Sequence, residues 1–280
     1  MRPSTAPARA ALATAAMILP LALTGCGEDE GDKAAPPSSP SSSGSSGLPQ
    51  GSDPVDLDPA DFTAGSDHKY FPLEPRRQWT YRETDESGAS LQVVVTVTTE
   101  TREVANGVVA RVVRDTVSED GEIVEDTFDW YAQDGEGNVW YLGEDTAELE
   151  DGEIATREGS FEAGVDGALP GIIMPAEPEA GLTYRQEYLE GEAEDNGAVL
   201  ALGQQADTAQ GHFDDVILTA DTITLEPDVL EYKLYAPGVG LVLTLDISGG
   251  AGREELVSTR LVPEATARAA GTASLGTPYE

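Results

Sequence analysis

From about residue 53 onward, apolar and polar residues alternate in short runs broken by Gly, Asn and Asp. A period of two sends successive side chains to opposite faces of a strand. Predicted strands fall at Gln78–Glu83, Leu91–Glu103, Val108–Val117, Ile123–Ala132, Asn138–Leu142, Tyr184–Leu189, Phe213–Ala220, Val229–Ala236, Gly240–Ile247 and Glu254–Val262. Asn106-Gly107 separates two valine-rich runs and is a strong hairpin signal; tight turns are also expected at Ser87-Gly88, Asp120-Gly121 and Gly137-Asn138. Consecutive hairpins predict an all-β domain, a single antiparallel meander of roughly ten strands. Such a meander disposes of its edges by bending into a curved sheet or open barrel.

No long stretch keeps a 3.6-residue apolar period, so helices should be few and short. Residues 145–153 and 190–197, dominated by Glu, Asp and Gly, read as exposed loops. Residues 164–178 place an apolar cluster among Gly and Pro and read as a long loop packed on the sheet. The Ala-, Thr- and Gly-rich stretch 263–280 reads as a flexible tail. No repeat period indicates a propeller or solenoid.

The first residues follow a different pattern. Arg2 and Arg9 precede a mostly apolar stretch from Ala10 to Leu23, too short to span a bilayer comfortably and matched to a cleavable signal. It ends in Leu23-Thr24-Gly25-Cys26, which resembles the bacterial lipobox. That resemblance implies cleavage after Gly25 and a diacylglyceryl group on the Cys26 sulfur, with palmitate-type chains. Residues 1–25 are therefore a lipoprotein signal peptide, and 26–52 a lipidated cysteine followed by a Pro-, Ser- and Gly-rich disordered linker. Residues 53–262 are the globular domain. Two acyl chains anchor stably where one is only marginal. The expected location is the extracytoplasmic face of the cell membrane.

Charge limits the partners. Loss of two arginines and no acids with the leader takes the formal charge from −36 to −38. Nucleic acid is excluded by phosphate repulsion, and direct contact of the domain with an anionic bilayer is disfavoured. A linker of about 26 residues spans roughly 25–30 Å, well beyond the Debye length of about 8 Å, so the acidic domain and the membrane tolerate one another. With Cys26 as the only cysteine there is no intrachain disulfide.

Candidate chemistry is sparse. His68 and His212 are the neutral-pH bases, and no Gly-x-Ser-x-Gly elbow accompanies them. Asp134-Gly135-Glu136-Gly137-Asn138 superficially suggests a calcium loop, but Val139 stands where such a loop needs glycine, and a hairpin turn explains it better. No catalytic residue, metal ligand or cofactor is assigned. Trp79, Trp130 and Trp140 are the candidate ligand-binding aromatics. Adjacent Trp130-Tyr131 and Trp140-Tyr141 must face opposite ways, so at most one of each pair lines a cavity.

Four segments carry a resemblance across most of the domain: Tyr70-Phe71-Pro72-Leu73 with Trp79 and Tyr81; Asp129-Trp130-Tyr131-Ala132-Gln133-Asp134 with Gly137-Asn138-Val139-Trp140-Tyr141; Gly171-Ile172-Ile173-Met174-Pro175; and Tyr235-Ala236-Pro237-Gly238-Val239-Gly240. They resemble an uncharacterised group of bacterial secreted lipoproteins. The resemblance implies a single domain and no particular activity. Its members often carry glycine shortly after the Pro-Leu-x-Pro element, where this chain has Arg76-Arg77.

The expectation is a lipid-anchored cell-envelope protein whose non-enzymatic β-rich domain binds an apolar ligand, a lipid or a protein partner. A secreted hydrolase using carboxylates or His212, and a structural surface protein without a pocket, remain as alternatives.

Overall fold

The computed structural model describes residues 47–84, 88–104 and 107–279. The leader, Cys26 and the linker as far as residue 46 lie outside the described residues, as do Ser87 and Asn106 of two predicted turns. The strands are β1 (Phe62–Ala64), β2 (Arg77–Thr84), β3 (Ser90–Glu103), β4 (Val109–Glu119), β5 (Glu122–Asp134), β6 (Val139–Glu150), β7 (Glu153–Thr156) and β8 (Phe161–Glu162). There follow β9 (Leu169–Met174), β10 (Thr183–Arg185), β11 (Glu187–Tyr188), β12 (Asp195–Thr208), β13 (Gly211–Ile223), β14 (Leu230–Ala236), β15 (Gly240–Ser248), β16 (Arg253–Leu261) and one helix, α1 (Glu264–Thr272). All pairings between named strands are antiparallel, in the order β10-β12-β13-β14-β15-β16-β2-β3-β4-β5-β6-β9-β11.

Each predicted run forms a strand, yet the strands among the described residues number sixteen instead of ten. The Tyr184–Leu189 run divides at Gln186, and β1, β7, β8, β9 and β12 arise where loops or no strand were expected. The segment 145–153 is the continuation of β6 and a hairpin into β7, with Ala147 and Leu149 buried. Its turn, Asp151-Gly152, has φ of +53° and +77°, the same two-residue mirror-image turn that Asp120-Gly121 makes at +52° and +90°. The 190–197 loop shortens because β12 begins at Asp195, and β9 occupies residues 169–174 of the expected packed loop.

β10 and β11 lie at opposite ends of the strand order, yet only Gln186 separates them in the chain, so the sheet nearly closes into a barrel. Arg185 holds the seam. Fully buried, it donates from Nε and Nη2 to the Pro170 carbonyl (3.2 and 2.7 Å) and from Nη1 to the carbonyls of Gly51 and Asp53. Its backbone N–H reaches Pro49 O at 2.8 Å, and Gln50 Nε2 reaches Thr183 O at 2.6 Å. The ordered domain thus starts before Asp53: residues 48–52, assigned by composition to the linker, are part of the closure.

At Gly171 in β9 the seam runs so close that an added Cβ would overlap the Gln186 carbonyl. Gly171→Ala is expected to destabilise by about 3 kcal/mol, the upper range for overpacking, because backbone, not a pliable side chain, must move. Chemical denaturation measures this; an unchanged midpoint would show that the seam is loose.

The outer face of β3 to β5 is covered as well. The expected flexible tail is instead α1 and a docked extended segment. Ala267 and Ala270 are buried, and Arg114 donates to the segment's carbonyls. Arg76 adopts φ +77°. Its N–H donates to Val97 O and its Nε to Val262 O, which hold the strained turn ahead of β2.

Candidate functional site

Register decides which side chains share the barrel interior, because directly paired residues point the same way. One row runs Trp79, Val95, Asp115, Thr127, Thr146 across β2 to β6; the next runs Val97, Val113, Asp129, Glu144. On the opposite wall Thr219, Lys233, Thr244, Glu254 and Glu83 are in line, as are Asp221 and Glu231. Tyr131 and Tyr141 pair with each other one step along β5 and β6.

These inward residues are polarised along the axis. At one end the Tyr70–Leu73 segment acts as a stopper. The Phe71 ring lies edge-on to Tyr131 of β5 at 5.4 Å and 6.3 Å from Tyr235 of β14, two strands on opposite walls. Trp79 Nε1 donates to Val239 O and Tyr81 OH to Leu241 O beside it. Away from the stopper, β5 steps from Tyr131 to Asp129 and Glu125, β14 from Tyr235 to Lys233 and Glu231, and β2 from Tyr81 to Glu83. That half of the interior is acidic. Water reaches it, since the side chains of Lys233 and Glu231 keep 26% and 22% exposure.

Burial governs its electrostatics. Desolvation, reinforced by neighbouring acids, pushes Glu125 and Glu254 up to about 7. It drives Asp115 well above the carboxylate range, with Asp129, Glu254, Glu125 and Asp126 adding repulsion. Asp129, Glu144, Glu187 and Asp195 are raised by the same cause. Lys233 opposes this for Glu187, Asp195 and Glu254. Burial works against its own charge, but Asp221 at 2.8 Å and Glu231 at 3.3 Å hold its pKa well above the ordinary value.

Tyr141 OH lies 2.7 Å from Asp129 Oδ1 and 2.9 Å from Glu144 Oε2. A phenol carries one proton, so it donates to one carboxyl and accepts from the other, which must itself be protonated. Burial raises both Asp129 and Glu144 above the ordinary carboxylate range. Glu144 is also among the residues around a shallow depression of about 270 Å³, with Arg102, Trp130, Phe161, Glu162 and Leu189.

The three candidate tryptophans do not meet at a site. Trp79 is packed at the stoppered end, whereas Trp130 and Trp140 sit in the other core cluster. Trp130 lies under the Arg102 guanidinium at 3.9 Å, and Trp140 Nε1 donates to Asp134 Oδ2 at 2.7 Å. Their neighbours Tyr131 and Tyr141 are the inward members of each pair, stacked at 4.9 Å. Asp134 is fully used by its hairpin, accepting from the N–H groups of Glu136, Gly137 and Asn138, from Asn138 Nδ2 and from Trp140. Among the described residues no group of three or more Asp, Glu, His or Cys is placed to hold a metal ion.

His68 is buried and neutral in character: Nδ1 accepts the Tyr70 N–H and Nε2 donates to Ala176 O, while desolvation lowers its pKa. His212 is exposed at the far end of the β12–β13 hairpin, between Asp207 at 2.9 Å and Asp214 at 3.4 Å. The inward acids were missed by sequence reasoning. Their signal is a period-two series of polar residues inside strands, such as Glu125, Thr127 and Asp129, lost among 52 acids.

No family model and no curated protein matches the chain. Solved structures similar to it include a Bacteroides fragilis protein inferred to be exported, with a YmcC-like fold. It is 17% identical, with a TM-score of 0.41 over 69% of this chain and 99% of that one. A Parabacteroides distasonis protein inferred to be a lipoprotein is 12% identical, with a TM-score of 0.37 over 71% and 100%. Likeness this slight carries no functional argument. No helix among the described residues is long and apolar enough to cross a membrane.

Proposed function

We propose that this chain is a lipid-anchored cell-envelope protein, held on the extracytoplasmic face through Cys26, whose barrel is a binding module. The observation that carries the binding reading is the interior itself: stoppered by Phe71 at one end, reached by water at the other, and lined by groups that solvent alone serves poorly. The tether is supported by Leu23-Thr24-Gly25-Cys26 after an apolar run.

Cells making the protein should incorporate labelled palmitate into it, and Cys26→Ser should abolish the label and move the protein from the membrane to the soluble fraction. An unlabelled parent protein would overturn the anchor. Native mass spectrometry of the unlipidated domain tests binding separately: a retained small-molecule adduct supports it, and its consistent absence turns the reading towards a protein partner.

One observation favours a second reading, a carboxylate-dependent hydrolase. Asp129 and Glu144, both raised by burial, share the Tyr141 hydroxyl, and Glu144 is among the residues around the depression, an arrangement suited to acid–base work. Hydrolysis of model glycosides or esters that disappears in Glu144→Gln would establish it.

A further inference from the structure

The geometry points to an extended organic polycation, an amine-bearing chain of the polyamine type, as the ligand of the acidic half of the barrel. This rests on the binding reading above and names its ligand class.

Three features lead there. First, the charge is one-sided: Lys233 is the cation that Glu187, Asp195 and Glu254 all feel, and it is already engaged by Asp221 and Glu231. Buried carboxyls in that position take up either a proton or a foreign cation. Second, Asp115 Oδ1 is shielded from solvent and has no hydrogen-bond partner. Its register with Trp79 and Thr127 turns it into the barrel, so a buried acceptor stands unmet beside Glu125, Asp129 and Glu254. Native folds rarely leave such an atom unsatisfied without a ligand, ion or water.

Third, spacing selects the shape of the cation. Asp129 and Glu125 lie four residues apart on β5, about 13 Å at strand rise, and others are dispersed over β4, β6, β11, β12 and β16. No three converge on a point, which disfavours a metal ion. Several ammonium groups on one flexible chain can each meet a separate carboxyl. The phenols of Tyr131 and Tyr141 add acceptor oxygens along the same wall, and aromatic faces attract ammonium.

Protons compete with such a ligand. The groups facing one another across the site are Glu83 on β2, Asp115 on β4, Glu125 and Asp129 on β5, and Glu144 with Tyr141 on β6. With them stand Glu148 on β6, Glu187 on β11, Asp195 on β12, Asp221 on β13, Glu231, Lys233 and Tyr235 on β14, Glu254 on β16, and the phenols of Tyr81, Tyr131 and Tyr184. Below about pH 7 an ammonium must displace a proton from acids such as Glu125 and Glu254, so affinity falls as pH falls.

The test is calorimetric titration of the full mature chain, unlipidated, with spermidine at fixed ionic strength. Saturable binding is expected at pH 8, at least tenfold weaker at pH 5.5. Asp115→Asn with Glu254→Gln should weaken it at least tenfold. These changes remove repulsion, so the variant should stay folded, which circular dichroism checks. Replacing the exposed Glu150 and Asp151 by their amides should leave binding unchanged. Absence of saturable binding at pH 8, equal weakening by interior and surface variants, or equal binding of magnesium would each overturn the ligand class. A different retained adduct in native mass spectrometry would then leave the binding module standing.

Discussion

Arg114→Ala is expected to cost about 3–5 kcal/mol of unfolding free energy, the range for breaking one side of a buried ion pair. Arg114 and Asp126 are both fully buried and joined by a two-point contact, Nε to Oδ1 at 2.8 Å and Nη2 to Oδ2. Asp126 accepts also from Thr116 Oγ1 and the Gly276 N–H. The guanidinium spends its remaining donors on the carbonyls of Ala270, Ala273, Ser274 and Thr277, between the rings of Phe128 and Tyr279. Alanine leaves a buried carboxylate without its cation and removes the arginine's donors from four carbonyls of the C-terminal segment. The segment should detach, and amide exchange over residues 264–279 should quicken before the barrel melts. Arg114→Lys should rescue little, since an ammonium cannot span the same fork. A midpoint shift corresponding to under about 0.5 kcal/mol, the level of an ordinary surface change, with the tail still protected, would sink this account.

That docking site also shows where sequence reading stopped. Alternation and turn chemistry made the all-β meander legible, because β2 to β5 and β13 to β16 each pair with the next strand along the chain. β12 was hidden by three register shifts that break its alternation between Val199 and Ala206. β9 was hidden because Gly and Pro, ordinary breakers, are required there by the close approach at Gly171 and the Pro170 carbonyl bound to Arg185. The docking of 264–279 depends on one arginine more than 150 residues away, a contact no local pattern announces. The same holds for the site. Alternation correctly set Trp130 against Tyr131 and Trp140 against Tyr141, but the faces could be named only once the sheet curved. Acids in strands read as solvated when the sheet is taken as flat, and become interior when it nearly closes.

Stability should fall as pH rises from 5.5 to 8, the reverse of a protein held by ionised carboxylates. Glu125 and Glu254 have folded pKa values of about 7, well above their ordinary value of 4.5. A raised acid favours the folded state while protonated. Its contribution is fully present below the unfolded value, near 4.5, and is lost as pH rises through about 7. Asp115, Asp129, Glu144, Glu187 and Asp195 shift the same way. His68 works in the opposite sense: its lowered pKa makes protonation below about 6.5 unfavourable in the fold, which places the optimum in mild acid instead of lower. Between pH 5.5 and about 7 one such isolated group is worth roughly 2 kcal/mol. Coupled sites do not add, so the sum is on the order of 5 kcal/mol, or about 10 °C in Tm for a domain of this size. Thermal unfolding at pH 5.5 and 8.0 at equal ionic strength should show that drop. Glu125→Gln with Glu254→Gln should shrink it by raising the melting temperature at pH 8. A melting temperature that is flat or rises towards pH 8 would mean that the inward carboxyls are already paired with cations, and the picture of an acidic, unmet interior would fall with it.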